Sequence, residues 1–235
     1  MALPPTIYLV CSDCDGNGKT LLARVLVDFL LIEERDPFCF DLGGPGGTLR
    51  AYFPGRTALV DFSQPARREK VLSTLKEQTG RNYVIDIAAA QLADFCEAAE
   101  AAGLTARAHG NGSSIAVLYI VDSDEASLKT AVSLEQILNP DLFVPVANRF
   151  IGSALPEGVP GPVLVMDKLN QELVSLISNR RFSLRSYILG DEQGLPARFE
   201  TNLKAFLQRL ISGMSGLEPV LNVETAGEAD RKKGV

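Results

Sequence analysis

Residues 6–11, Thr-Ile-Tyr-Leu-Val-Cys, form a short apolar run of strand formers that breaks at once into a loop holding Gly16 and Gly18. Beyond the loop Leu21, Leu22, Val25, Leu26, Phe29 and Leu30 recur at helical spacing. A strand apolar on both sides has to be covered on both faces, and a helix entered directly from its end supplies one of the covers. This pattern of strand, glycine-bearing loop and helix pushes the chain toward a layered α/β fold.

The pattern repeats downstream. Short apolar runs at residues 37–42, 57–61, 82–87, 114–121, 142–147 and 163–166 read as strands. Between them, residues 64–79, 91–102 and 124–138 read as helices, and 170–177, 183–188 and 197–211 as terminal helices. Strands alternating with helices of this length imply crossovers in a mostly parallel sheet, so the expected architecture is doubly wound α/β with flanking helices. Residues 1–215 are expected to form a single domain; 216–235 lack sustained apolar periodicity and are expected to be a disordered tail.

Hydrophobic residues at 46% and charged residues at 22% are ordinary for a globular chain. No run reaches the roughly 18 apolar residues of a membrane span, and Met1 to Thr6 lack a basic secretory start, so a cytoplasmic location is expected. The basic residues Arg198, Lys204 and Arg209 beside apolar ones read as a core-packed terminal helix rather than a membrane anchor. A net charge of −6 does not support a broad DNA-binding face. Four cysteines make no disulfide framework, and the Cys11/Cys14 spacing reads as incidental. The single histidine, His109, reads as a solvated loop residue.

The loop itself carries chemistry. It ends Gly18-Lys19-Thr20, the end of a Walker A sequence, with Asp13 in the place of that motif's first glycine. Backbone N–H groups of Asp15, Gly16, Asn17, Gly18, Lys19, Thr20 and Leu21, at the positive end of a helix, would cradle the phosphates of ATP. Lys19 would hold the β- and γ-phosphates, and the Thr20 hydroxyl would meet Mg²⁺. Asp86 ends an apolar strand, where it reads either as a carboxylate for the metal site or as a strand-end cap. Asp41 ends the neighbouring strand with the same two readings and, with Lys19, is a candidate catalytic group. In an open α/β sheet, ligands bind beyond the carboxyl ends of the strands, which brings these positions to one rim.

On the loop, the strand ending at Asp41 with Gly43, Gly44 and Gly46 after it, the strand ending at Asp86 and the segment Val144 to Arg149, the sequence resembles the ParA/MinD family of deviant Walker A ATPases over residues 6–150. The resemblance implies a P-loop NTPase fold, adenine recognition by Asn148, a nucleotide-bound homodimer and a protein partner or scaffold. Two positions depart from it. The family's loop lysine, which reaches the partner subunit's phosphates, corresponds to Cys14, and the second aspartate of its D-x-D segment corresponds to Gly43.

Phosphoryl transfer is catalysed by positioning and charge neutralisation, so losing each such group is expected to slow hydrolysis on the order of 100-fold or more. Asp13 and Asp15 also place negative charge beside the loop, which would weaken phosphate binding unless Mg²⁺ or outward side chains offset it. The first expectation is an ATP-dependent switch in partition, positioning or plasmid transfer. The alternatives are a non-hydrolysing nucleotide-binding scaffold and a small-molecule enzyme of the dethiobiotin-synthetase type.

Overall fold

A computed structural model describes residues 4–77, 80–152, 161–179, 182–191 and 195–231; the side chains of Pro45, Asn179 and 218–231 lie outside it. The strands are β1 (Thr6–Cys11), β2 (Phe38–Asp41), β3 (Thr57–Leu59), β4 (Tyr83–Asp86), β5 (Ser114–Val121), β6 (Leu142–Asn148) and β7 (Leu164–Met166). The first helices are α1 (Lys19–Ile32), α2 (Leu49–Tyr52), α3 (Pro65–Glu77), α4 (Leu92–Ala101) and α5 (Leu104–Gly110). They are followed by α6 (Glu125–Leu138), α7 (Gln171–Asn179), α8 (Leu184–Leu189) and α9 (Ala197–Arg231).

All strand pairs are parallel, in the order β3-β2-β4-β1-β5-β6-β7. The chain first builds outward on one side of β1 and then crosses to the other, so the loop after β1 lies at the centre of the sheet's carboxyl rim. Parallel pairing follows from the helical crossovers, and burial on both faces follows from strands such as β5, in which every residue is buried.

Alternation along the strands divides the interior in two. Tyr8, Val10, Val84, Ala116 and Leu118 face α1 and α7 to α9; Ile7, Leu9, Ile85, Val117 and Tyr119 face α3 to α6. In α9 the apolar stripe of Phe199, Leu203, Phe206, Leu207, Leu210 and Met214 is buried in the first layer. Its basic residues Arg198 and Arg209 pair with Glu172 and Asp167, so the helix is packed on the core as its spacing predicts. No helix among the described residues is long and apolar enough to cross a membrane. The backbone of α9 runs on to Arg231, through most of the segment expected to be a disordered tail; its side chains from 218 onward and residues 232–235 are outside the described part.

Two short helices escape the periodicity argument. α2 follows a 3-10 turn at Gly44–Gly46, and with only four residues it shows no repeat. α5 spans seven residues from the left-handed cap Gly103 and contains His109. The histidine is therefore not a solvated loop residue. Its Nε2 lies 2.9 Å from Asp141 Oδ2, in a carboxylate that also accepts the Ile115 N–H at 2.7 Å, tying α5 to the starts of β5 and β6.

Candidate phosphate site

The loop from Ser12 to Gly18 is knitted together by its own side chains. Ser12, fully buried, accepts the Cys14 N–H at 3.1 Å and a close hydrogen bond from Asn17 Nδ2. Gly18 then starts α1 with φ of 97°, a left-handed conformation, and a β-carbon there would lie 2.9 Å from Asn148 Nδ2. Only glycine meets both demands. Because Gly18 brings no side chain to cap α1, the N–H groups of the first turn face the cleft without a side-chain acceptor.

Lys19 is buried and folds back over this loop, its Nζ bonded to the Cys14 carbonyl and 3.5 Å from Asn17 Oδ1. Asp15 Oδ1 lies 3.7 Å from the same ammonium on a largely solvent-exposed side chain, so its charge is well screened. Thr20 Oγ1 donates to Asp86 Oδ2 at 2.7 Å. Burial pushes the Asp86 carboxyl up to about 6; the Thr20 hydrogen bond and Lys19 oppose the rise, and the neighbouring Asp41 adds to it.

Asp41, also buried, accepts the Gly43 N–H at 3.1 Å and the Arg50 N–H at 3.3 Å. It thereby holds the whole glycine-rich turn to the end of β2. Gly47 packs so tightly here that a β-carbon would fall 2.3 Å from Asp41 Oδ1. Asn148, at the end of β6, donates from Nδ2 to the Asn17 carbonyl at 2.7 Å and accepts the Phe150 N–H at 2.9 Å. Its amide thus braces the loop from Ser12 to Gly18.

Most of these groups border one cleft of about 580 Å³ at the sheet's carboxyl rim. Asp15, Gly16, Gly18, Lys19, Thr20, Leu21, Asp41, Asp86 and Asn148 line it; Asn17 turns its side chain inward to Ser12 and supports the loop from behind. The cleft extends past Phe150, Met166 and Asp167 to Val174 and Phe206, an apolar end that the sequence does not single out. Asp167 there is bracketed by Arg149 and Arg209 at 2.9 Å and 2.5 Å. These residues come from three separate stretches of chain and share no local motif.

The volume is in the range that takes a small organic ligand. One cation, a hydroxyl against a carboxylate and the uncapped helix start suit a polyphosphate with a hard divalent ion. Among the described residues no three His, Cys, Asp or Glu side chains cluster to hold a metal by themselves. Cys11, Cys39 and Cys96 are free and buried, and Cys14 is free and partly exposed.

No family model matches the chain, and no curated protein matches it. Among solved structures it is similar to a nucleotide-binding protein from Archaeoglobus fulgidus in complex with ADP, with a TM-score of 0.49, 11% identity and coverage of 76% of this chain and 87% of that one. It is also similar to a plasmid partition protein from Borrelia burgdorferi, at TM-score 0.44 and 11% identity over 80% of this chain and 100% of that one. A third, a putative plasmid partition protein from Borrelia burgdorferi B31 bound to AMPPNP, gives TM-score 0.41 and 14% identity over 89% and 99%.

Proposed function

We propose that the protein is an ATP-binding molecular switch of the ParA/MinD kind, in which Mg²⁺-ATP sits in the cleft and the nucleotide state sets affinity for a protein partner or scaffold. The observation that carries this reading is the convergence of Lys19, Thr20, Asp41 and Asp86 on one rim around the uncapped start of α1. Lys19 would exchange its loop carbonyl for the β- and γ-phosphates. Thr20 and Asp86, already in contact, would hold Mg²⁺ directly or through its water, the ion taking its remaining ligands from phosphate and solvent. Asp41 would position the glycine-rich turn over the terminal phosphate. Asn148, braced on Asn17, would place the edge of the adenine base beside Phe150.

Hydrolysis is expected to be slow. Cys14 offers a carbonyl to its own Lys19 and no cation, and Gly43 offers only a backbone N–H to Asp41. This favours a long-lived nucleotide-bound state, expected to be a homodimer, and is equally compatible with a scaffold that retains nucleotide. Titration calorimetry with Mg²⁺-ATP on the wild type and Lys19→Ala, paired with phosphate release and light scattering, tests the reading. Binding lost in Lys19→Ala supports it, and ATP-dependent dimerisation separates the switch from the scaffold. Absence of Mg²⁺-ATP binding to the wild type would sink it.

A further inference from the structure

Asp13 stands where a Walker A loop has its first glycine, and a carboxylate at that point threatens the binding of phosphates. The structure shows where that carboxylate goes. Ser127 Oγ, on the first turn of α6, donates to Asp13 Oδ1 at 3.3 Å. Ser127 is fully buried and held from the other side by the Asp122 N–H at 2.9 Å, which occupies one of its lone pairs and leaves its proton for Asp13. The Tyr119 hydroxyl lies 3.1 Å from Ser127 Oγ and, with the Ser127 proton turned to Asp13, donates to that oxygen. Ser127 is in turn fixed by its own N–H, which donates to Asp124, the N-cap of α6, at 2.6 Å.

The hydroxyls of Tyr119 on β5 and Ser127 on α6 therefore form a chain that ends on Asp13. Asp15, Gly16 and Gly18 line the cleft, and Asp13 does not.

We propose that Ser127, assisted by Tyr119, is a positioning residue for phosphate binding that holds the Asp13 carboxylate against the β5–α6 turn and so keeps its charge out of the phosphate site. The inference rests on the phosphate-binding reading of residues 15–21. It accounts for how this loop carries an acid at a glycine position: the charge is tethered outward by neutral donors. It also makes the tether and the acid interdependent. Removing the tether alone frees the charge, whereas removing the charge makes the tether dispensable.

The experiment is a double-mutant cycle on the full chain, with Kd for Mg²⁺-ATP measured at low and at high salt. Ser127→Ala is expected to raise Kd about 5- to 20-fold at low salt, the size of one partly screened like charge brought near the phosphates, and less at high salt. Asp13→Asn in the Ser127→Ala background is expected to restore Kd to within about twofold of the wild type, because the amide leaves no charge to repel. Should Ser127→Ala fail to fold, Tyr119→Phe with and without Asp13→Asn provides the same cycle.

An unchanged Kd in the hydroxyl deletions overturns the proposal. So does a weakened Kd that Asp13→Asn does not rescue, because the hydroxyls would then serve the loop's shape alone. Wild-type protein that does not bind Mg²⁺-ATP overturns the nucleotide reading itself, a result distinct from either.

Discussion

The hydroxyl of Thr20 and the carboxylate of Asp86 meet at 2.7 Å, joining the first turn of α1 to the end of β4 across 66 residues of sequence. Each residue alone has an ordinary explanation, the first as a helix-start threonine and the second as a strand-end acid. Their contact places a hydroxyl and an acid together at the base of the cleft, next to Lys19.

The Asp86 carboxyl is pushed up to about 6 from its ordinary 3.8, chiefly by burial. Its folded value lies above its unfolded one, so the stability it contributes is present at low pH and lost as pH rises through about 6. Asp86→Asn is therefore expected to stabilise the nucleotide-free protein at about pH 7.5 by up to about 3 kcal/mol, seen as a raised thermal midpoint, and to do much less near pH 4.5. The same variant is expected to weaken Mg²⁺-ATP binding. Calorimetric melts at the two pH values, with titrations at the higher one, check both halves; equal midpoints for the two proteins at the higher pH would refute the stability argument.

Asn148 spends its amide on Asn17 and Phe150. Truncation to alanine leaves a buried Asn17 carbonyl without this donor, at a cost of about 1–3 kcal/mol, and is expected to loosen the phosphate loop and weaken nucleotide affinity together. Denaturant melts and titrations on Asn148→Ala separate two roles. Lost affinity with unchanged stability would mean that Asn148 acts on the ligand and not on the loop.

Gly47 has φ of −60°, which any residue tolerates, yet a β-carbon there would strike Asp41 Oδ1 and Leu59 Cδ1, 2.3 Å and 2.5 Å away. Gly47→Ala is expected to cost about 1–3 kcal/mol through overpacking and to displace Asp41, lowering any ATP turnover more than it lowers affinity. Gly46→Ala, where a β-carbon meets nothing within 4 Å, serves as the control and is expected to stay close to the wild type in stability. Comparable loss of stability in both variants would show that close approach to Asp41 is not the cause.

Arg24 is buried on α1, its guanidinium 3.5 Å from the centre of the Tyr52 ring and its Nη2 donating to the Phe182 carbonyl at 2.7 Å. Tyr52 in turn donates to the Ser178 carbonyl at 3.0 Å, so one arginine ties α1, α2 and the segments around α7 and α8 together. Arg24→Ala is expected to destabilise by about 3–5 kcal/mol, since it leaves the buried Phe182 carbonyl without its charged donor and takes the cation from the Tyr52 ring. Arg24→Lys retains the charge but not the flat fork over the ring, and is expected to lose a smaller amount, about 1–3 kcal/mol. Thermal melts of the two variants check the ranking, and an equal loss in both would remove the argument from ring geometry.

What could be read from the chain alone followed from local periodicity. The apolar runs at 6–11, 114–121 and 142–147 match β1, β5 and β6 closely because a strand buried on both faces leaves no freedom in residue type. Helix α6 spans Glu125–Leu138, within one residue of the expected 124–138, and the Asp124 carboxylate caps it. The elements that were missed, α2 and α5, are too short to show a repeat, and they exist because neighbours hold them: Asp41 through the Arg50 N–H, and Asp141 through His109.

The same division runs through the site. The sequence by itself determined the strand, loop and helix, the placement of Lys19 and Thr20 at a helix start, and the acids at the ends of β2 and β4, since each depends on neighbours a few residues away. Tertiary structure alone decided that Thr20 touches Asp86, that Asn148 braces Asn17, and that Ser127 reaches the acid at Asp13 across 114 positions of chain. Those contacts are set by strand order and register, which place β4, β1, β5 and β6 side by side and are written in no local pattern of residues.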